Sequence, residues 1–362
     1  MKVYDRLDRQ YKMFSEEYKA AAIRVLDSAW YILGNELSAF ESKFAKFTGS
    51  SHCIGVNSGL DALTLAVRAL GIGEGDEVIV PANTFVASVL AITENRSTPV
   101  FVEPDQFHNI NADRIEAAIT AKTKAIMVVH LYGQAAEMTK IKEVADQYNL
   151  KIIEDCAQSH GACFAGKMTG TWGDVGCFSF YPTKIFGGFG DGGAIVTNDD
   201  KLAESLRMMR NYGSKVKYHN EITGVNSRLD ELQAALLSAK LPHLQYLIEQ
   251  RKSYAATYLE KIKNPKISLP STRPGADHIY YLFVVMCEDR DGFQQYLEQN
   301  EIKTLIHYPI PPHLQECYRD LGFKTGDFPV TEYEANHVIS LPFYNGMSED
   351  ELQYVIDIVN AY

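Results

Sequence analysis

One lysine in this chain sits in an unusual setting. The stretch from Cys177 to Gly193 reads Cys-Phe-Ser-Phe-Tyr-Pro-Thr-Lys-Ile-Phe-Gly-Gly-Phe-Gly-Asp-Gly-Gly, which sets Lys184 among aromatics and glycines. Most lysines are solvated surface charges. Here Phe180, Tyr181, Ile185 and Phe186 predict a side chain held near apolar surface, where desolvation favours the nucleophilic free amine. Such an amine forms a Schiff base with a carbonyl partner.

Other positions supply complementary groups. Asn57-Ser58-Gly59-Leu60-Asp61 places a glycine at a strand-to-helix junction. The free N–H groups of the first turn, those of Gly59 and Leu60 among them, together with the helix dipole make an anion site. Read alone, it is an ordinary helix start. Ser179, five residues before Lys184, offers a hydroxyl to the same anion. Asp155 ends the apolar run Lys151-Ile152-Ile153-Glu154, either as a cap for the next helix or as a carboxylate held against a cationic ring nitrogen. Gln158 offers an amide for hydrogen-bonding a neighbouring ring substituent, and Phe85 at another strand end offers a stacking platform or a core side chain. An anion cradle, a stacking ring, a carboxylate and an amine together define a pyridoxal phosphate site. The Gly188–Gly193 run matches the dinucleotide glycine pattern, but that motif needs a strand before it and a helix after it. Here an apolar strand follows, so a nicotinamide-dependent dehydrogenase is set aside.

These residues need elements to hold them. Strand-like runs fall at 53–56, 77–80, 99–102, 125–130, 151–154, 175–179 and 194–197. Helical spacing falls at 16–30, 36–47, 59–70, 84–94, 112–120, 137–149 and 200–212. This alternation predicts an α/β fold with a mostly parallel sheet covered by helices on both faces, and functional residues at the strand ends. A helical pattern runs from 228 through 259, broken near Pro242. Beyond it a strand over 280–286, a helix over 291–299, a short strand over 304–307 and a helix over 348–361 predict a smaller α+β domain. The chain divides into a large cofactor-binding domain, 1–249, and a small C-terminal domain, 250–362.

The order Gly59, Phe85, Asp155, Lys184 resembles fold type I pyridoxal phosphate enzymes, and more specifically the DegT-type nucleotide-sugar aminotransferases. The resemblance rests on Trp30–Gly34, Asn57–Leu63, Val129–Gln134, Glu154–Gln158, Ser179–Lys184 and Gly224–Asp230, and so spans nearly the whole chain. Within the family the chain is similar to transaminases that make dTDP-linked 3-amino-3,6-dideoxyhexoses. The resemblance implies transfer of an amino group from L-glutamate to a nucleotide-linked keto-sugar, a dTDP-3-keto-6-deoxyhexose, for deoxyaminosugar, lipopolysaccharide or other glycan synthesis. It implies a homodimer with shared active sites in which Asn226 reaches the partner's cofactor phosphate. It also implies Tyr181, Lys215, Tyr218, His307 and Tyr308 near the sugar nucleotide; Lys215 and Tyr218 read equally as an exposed loop. Leu60 stands where the family often carries Thr, so only backbone donors remain there. Three alternatives stand beside this reading: a 4-keto sugar as acceptor, a non-catalytic cofactor-binding regulator, and the family's dehydratases, which carry histidine in place of the lysine.

Composition excludes other classes. With 35 basic against 46 acidic residues the net charge is −11, which argues against nucleic-acid or membrane surfaces as partners. The N-terminus Met1-Lys2-Val3-Tyr4-Asp5-Arg6 lacks an apolar signal core, and no run is long enough to span a bilayer, which predicts a cytoplasmic protein. The six cysteines show no metal-ligand spacing and read as buried small hydrophobes in a reducing compartment. His130, His160, His307 and His313 give no helix-spaced pair, and no metal is assigned.

Overall fold

The computed structural model describes residues 4–362; the first three residues of the N-terminal reading, Met1–Val3, lie outside the described residues. Seven strands form the main sheet. From one edge they run His52–Val56, Gly193–Thr197, Val175–Ser179, Lys151–Asp155, Thr123–Val129, Glu77–Pro81 and Thr98–Val102. The last five pair in parallel, while Gly193–Thr197 runs antiparallel to both neighbours. Strands buried on both faces need apolar side chains on both. Val78 and Val80 enter one core cluster while Ile79, between them, enters another, as the two-residue period of a strand requires.

Helices cover both faces. Gly59–Ala69 lays Leu63 and Val67 on one; Asn35–Thr48 brings Phe40 and Phe44 to the other, against Phe178, Phe180 and Phe186. These edge-to-face and offset ring contacts anchor the segment on either side of Lys184. Towards the C-terminus Ile267–Ser268, Phe283–Cys287 and Val338–Leu341 form an antiparallel sheet packed on the helices Arg290–Gln299 and Glu349–Ala361. The core of this region, from Ala255 to Val359, is drawn from residues beyond 250. That observation supports our proposal to divide the chain into 1–249 and 250–362, although the helix Leu244–Lys261 runs through the boundary.

Several expected boundaries move for local reasons. The strand expected over 280–286 begins only at Phe283, because Tyr280 adopts a left-handed backbone (φ 50°) that no ladder accepts. The strand expected over 304–307 is a single bridge between Leu305 and Ser340; Pro309, Pro311 and Pro312 follow it and lack the N–H groups that would extend it. The helix expected over 112–120 is a short Ala112–Ile115 helix and a tight 3-10 turn, which Ile119 leaves in extended conformation. At Pro242 the helical pattern breaks as expected, with the 3-10 turn Leu241–His243 between Glu231–Lys240 and Leu244–Lys261. Two cysteines correct the reading of all six as buried: Cys163 is only partly covered and Cys317 is exposed. Among the described residues no helix is long and apolar enough to cross a membrane.

Candidate active site

The carboxyl ends of the strands meet where the chain leaves the sheet. Ser179 ends its strand and pairs with Gly193, which pairs on its other side with Val56. Two glycines make this junction possible. A Cβ on Gly193 would lie 2.3 Å from the Ser58 carbonyl oxygen, and one on Gly59 would lie 2.6 Å from Ser179 Cβ. Ser58 caps the helix by accepting the Asp61 N–H at 3.0 Å. The amides of Gly59 and Leu60 are left without an intrahelical partner. Ser179 Oγ lies beside this helix start and accepts the Tyr181 N–H at 3.3 Å. Gly59, Leu60 and Ser179 therefore come together as a cradle of donors.

Lys184 sits in a tight turn whose N–H donates to the Tyr181 carbonyl at 2.9 Å and whose carbonyl accepts the Gly187 N–H at 2.9 Å. The apolar neighbours named from sequence divide. Phe180, Ile185 and Phe186 are buried in the core, whereas Tyr181 is 53% exposed. The aromatic surface that meets the ammonium comes instead from far along the chain: Lys184 Nζ lies 4.6 Å from the centre of the Tyr281 ring.

Asp155 is the last residue of its strand and is buried. Its Oδ1 accepts the Ala157 N–H at 3.1 Å and its Oδ2 accepts the Ser88 hydroxyl at 2.8 Å. Burial pushes its carboxyl above the usual range, opposed by those two hydrogen bonds and by the nearby positive charge of Lys184. Phe85 immediately precedes the helix Val86–Thr93 that carries Ser88; its ring is half exposed and lies 5.2 Å from that of Tyr308. Gln158 bridges two neighbours, accepting the Tyr132 N–H at 2.6 Å and donating to the Tyr308 hydroxyl at 3.0 Å. His307 shares a hydrogen bond with Ser340 at 2.8 Å, and its carbonyl accepts the Tyr132 hydroxyl. Burial, reinforced by the charge of Lys184, pushes the His307 imidazole down to about 4, so it is neutral at pH 7.

The remaining positions lie apart from this group within one chain. Asn226 is exposed, but its neighbour Ser227 donates to Asp61 and accepts the Asn57 N–H, which ties the segment to the start of the Gly59 helix. Lys215 pairs with Glu204, and Tyr218 is 85% exposed on the hairpin Ser214–Val216/His219–Asn220.

The profile of the DegT/DnrJ/EryC1/StrS aminotransferase family matches residues 12–360. The chain belongs to that family. It is 54% identical, over 98% of both chains, to a dTDP-3-amino-3,6-dideoxy-alpha-D-galactopyranose transaminase of Aneurinibacillus thermoaerophilus. It is 42% identical, over 98% of this chain and 97% of the other, to a pleiotropic regulatory protein of Geobacillus stearothermophilus. The crystal structure of Streptomyces venezuelae DesV with a ketimine intermediate superposes with a TM-score of 0.97 at 46% identity, covering 99% of this chain and 97% of that one. The fold is that of the fold type I aminotransferases, and the sheet with its one reversed strand is this family's scaffold here.

Sequence reasoning missed several side chains of this family member's site. Ser88, three residues past Phe85, and Thr84 behind it carry no spacing signal. Tyr281 and Tyr132 arrive through tertiary packing. Lys240 is buried below the lysine turn and donates to the Gly187 carbonyl at 2.9 Å and to Gln10 at 2.7 Å. Burial and neighbouring Arg251 push it down to about 7. The donor atoms of His130, Glu154 and Cys156 cluster within 4.8 Å, the spacing of a metal site. Hydrogen bonds already occupy the imidazole and the carboxylate. Glu154 accepts the amides of Gly170, Trp172 and Gly173 and meets His130 Nε2, whose ring accepts the Ala136 N–H at Nδ1. This cluster is a structural latch.

Proposed function

We propose that this sugar aminotransferase binds pyridoxal phosphate at Gly59, Leu60, Phe85, Asp155, Gln158, Ser179 and Lys184, and moves an amino group from L-glutamate to a dTDP-linked 3-keto-6-deoxyhexose. The observation that carries the reading is Asp155, a buried carboxylate with no ion pair among the described residues, at the same strand ends as a lysine and a glycine–serine anion cradle. A buried anion without a paired cation in contact is costly. A cationic ring nitrogen would relieve that cost, and a phosphate suits the open amides of the Gly59 helix. The residues present fit the cofactor.

Bound there, pyridoxal phosphate supplies an aldehyde for amines and a ring that draws electrons from the bond to be broken. Lys184 Nζ is the amine that tethers it. Once free of it, the same nitrogen would be the base that carries the proton on and off the substrate Cα. Asp155 as the anion holds a proton on the ring nitrogen, Phe85 stacks, and Gln158 orients a ring substituent. Tyr181, His307 and Tyr308 face the sugar nucleotide.

A homodimer is part of the proposal. Ile23, Leu26, Trp30, Tyr31 and Ile32 are exposed apolar side chains clustered on one helix and the residues after it, a surface that suits a second copy. Asn226, Lys215 and Tyr218, exposed in one chain, would then serve the partner's site. Six free cysteines support a reducing, cytoplasmic location. The acceptor resemblance comes from the 3-amino-3,6-dideoxygalactose relative, and a 4-keto sugar is the competing acceptor.

The test is a half-reaction screen. Glutamate should bleach the visible absorbance of the purified protein, and a panel of nucleotide-linked keto-sugars should be scored for restoring it. Restoration by 4-keto sugars alone would replace the acceptor while keeping the reaction class. The regulatory reading, raised by the name of the Geobacillus relative, requires no change on adding glutamate.

A further inference from the structure

We infer that Ser88, backed by Thr84, is a positioning residue that orients the Asp155 carboxylate and keeps it available as an anion to the cofactor's ring nitrogen. The inference rests on the role given to Asp155 above and deepens it.

Ser88 and Thr84 are both buried, at 0% and 2% exposure, so bulk water does not compete for their hydroxyls. Ser88 Oγ lies 2.8 Å from Asp155 Oδ2 and 2.8 Å from Thr84 Oγ1. A hydroxyl has one proton to give. An ionised Asp155 only accepts, so Ser88 spends its proton there and Thr84 donates to Ser88. The result is a directed chain, Thr84 to Ser88 to Asp155, in which each bond polarises the next. A proton on Oδ2 would require this chain to reverse or break. The other carboxylate oxygen is held by the Ala157 N–H, so each oxygen has one donor and the carboxylate plane is fixed.

Placement adds a second consequence. Ser88 lies one turn into the helix that Phe85 opens, and the Ser88 N–H donates to the Phe85 carbonyl at 3.2 Å. One rigid element therefore carries both the ring platform and the donor to the carboxylate, and fixes the distance between them. A hydroxyl serving only to satisfy a buried carboxylate would affect stability alone. A positioning role predicts an effect on cofactor affinity and on the charge of Asp155.

The experiment compares the cofactor-free full chain with Ser88→Ala, Ser88→Thr, Thr84→Val and Asp155→Asn. Pyridoxal phosphate affinity is read by fluorescence titration, and the Asp155 carboxyl by carbon-13 NMR across pH. We expect Ser88→Ala to weaken affinity about tenfold, the size of one hydrogen bond to a charged group, and Thr84→Val about threefold. Ser88→Thr, which keeps the hydroxyl, should stay within about twofold. In Ser88→Ala the Asp155 titration should also move to higher pH. Native affinity and an unmoved titration in Ser88→Ala overturn the inference, as does an equal loss in Ser88→Thr. If Asp155→Asn weakens binding while Ser88→Ala does not, the inference fails and the function stands. If Asp155→Asn binds like the native chain, the role of Asp155 itself fails, and the inference with it. Should Ser88→Ala not fold, Thr84→Val decides: native affinity and an unmoved titration there overturn the inference.

Discussion

Glu154 and Asp155 are neighbours on one strand, both buried, both carboxylates, and their side chains leave the sheet on opposite faces. Glu154 is saturated. Three amides from the Gly170–Gly173 loop and the His130 ring close around it. Since Nδ1 of His130 accepts the Ala136 N–H, its Nε2 carries the proton that meets Glu154, and the ring is neutral. Asp155 has half as many donors and its carboxyl is pushed up by burial. One side chain completes its hydrogen bonds within the fold; the other keeps capacity for something the fold does not supply. That difference, more than burial or residue type, separates a structural carboxylate from a functional one.

The sharpest break lies across the site from Asp155. Lys184→Ala should reduce transamination by at least about 1,000-fold, because in the proposed reaction the amine that tethers and the base that moves the proton are the same atom. Its thermal unfolding should stay close to native, since the anchoring of the turn belongs to Phe180, Ile185 and Phe186. Residual turnover near the native rate would remove this lysine from the chemistry.

Glu154→Leu should do the reverse. It strips the partners from three amides and a histidine, at a cost on the order of 3 kcal/mol or more in urea unfolding. Asp155→Asn pairs with it. Turnover should fall by about a hundredfold, while the cofactor-free protein unfolds at the same urea concentration or a higher one. A stability loss in Asp155→Asn equal to that in Glu154→Leu would erase the contrast between the two neighbours.

Why one of these carboxylates could be recognised beforehand is instructive. The positions of Asp155 and Gly59 were legible because a strand end and a helix start are local patterns, and the chemistry proposed for each follows from its place in the pattern. The main sheet was legible for the same reason, since strands covered on both faces read as short apolar runs. Glu154, one residue away, carried no signal: its partners lie 16 to 24 residues distant, and only the folded loop brings them in. Ser88 and Tyr281 were hidden similarly, the first 67 residues from Asp155 and the second reaching Lys184 from the small C-terminal sheet region. Thr304–His307 misled because its apolar pattern suits a strand while the prolines beyond it end the pairing at Leu305.

A subunit-mixing experiment sharpens the comparison at the rim. Asn226→Ala and Lys184→Ala chains, each impaired alone, should regain turnover when refolded together, because mixed dimers would hold one site with neither substitution. No recovery, with dimers present by light scattering, would return Asn226 to its own chain's surface.

The smallest effect concerns pH, and it sets Asp155 against His307 with opposite signs. A carboxyl raised by the fold holds its proton where the unfolded chain has released it, so in the cofactor-free protein stability falls as pH rises through the elevated value. His307 is lowered by the fold from 6.5 to about 4, so between those values the unfolded chain binds the extra proton and stability falls as pH drops. His307→Gln should therefore flatten the acid limb by about 1 kcal/mol over its first pH unit, from 6.5 down to 5.5, and Asp155→Asn should leave that limb unchanged where it lies above the carboxyl's own transition. Urea unfolding of the three cofactor-free proteins at stepped pH reads both signs. An acid limb in His307→Gln as steep as the native one would mean that other buried imidazoles carry it, with His160 and His278, each pushed down to about 3 chiefly by burial, the next to substitute.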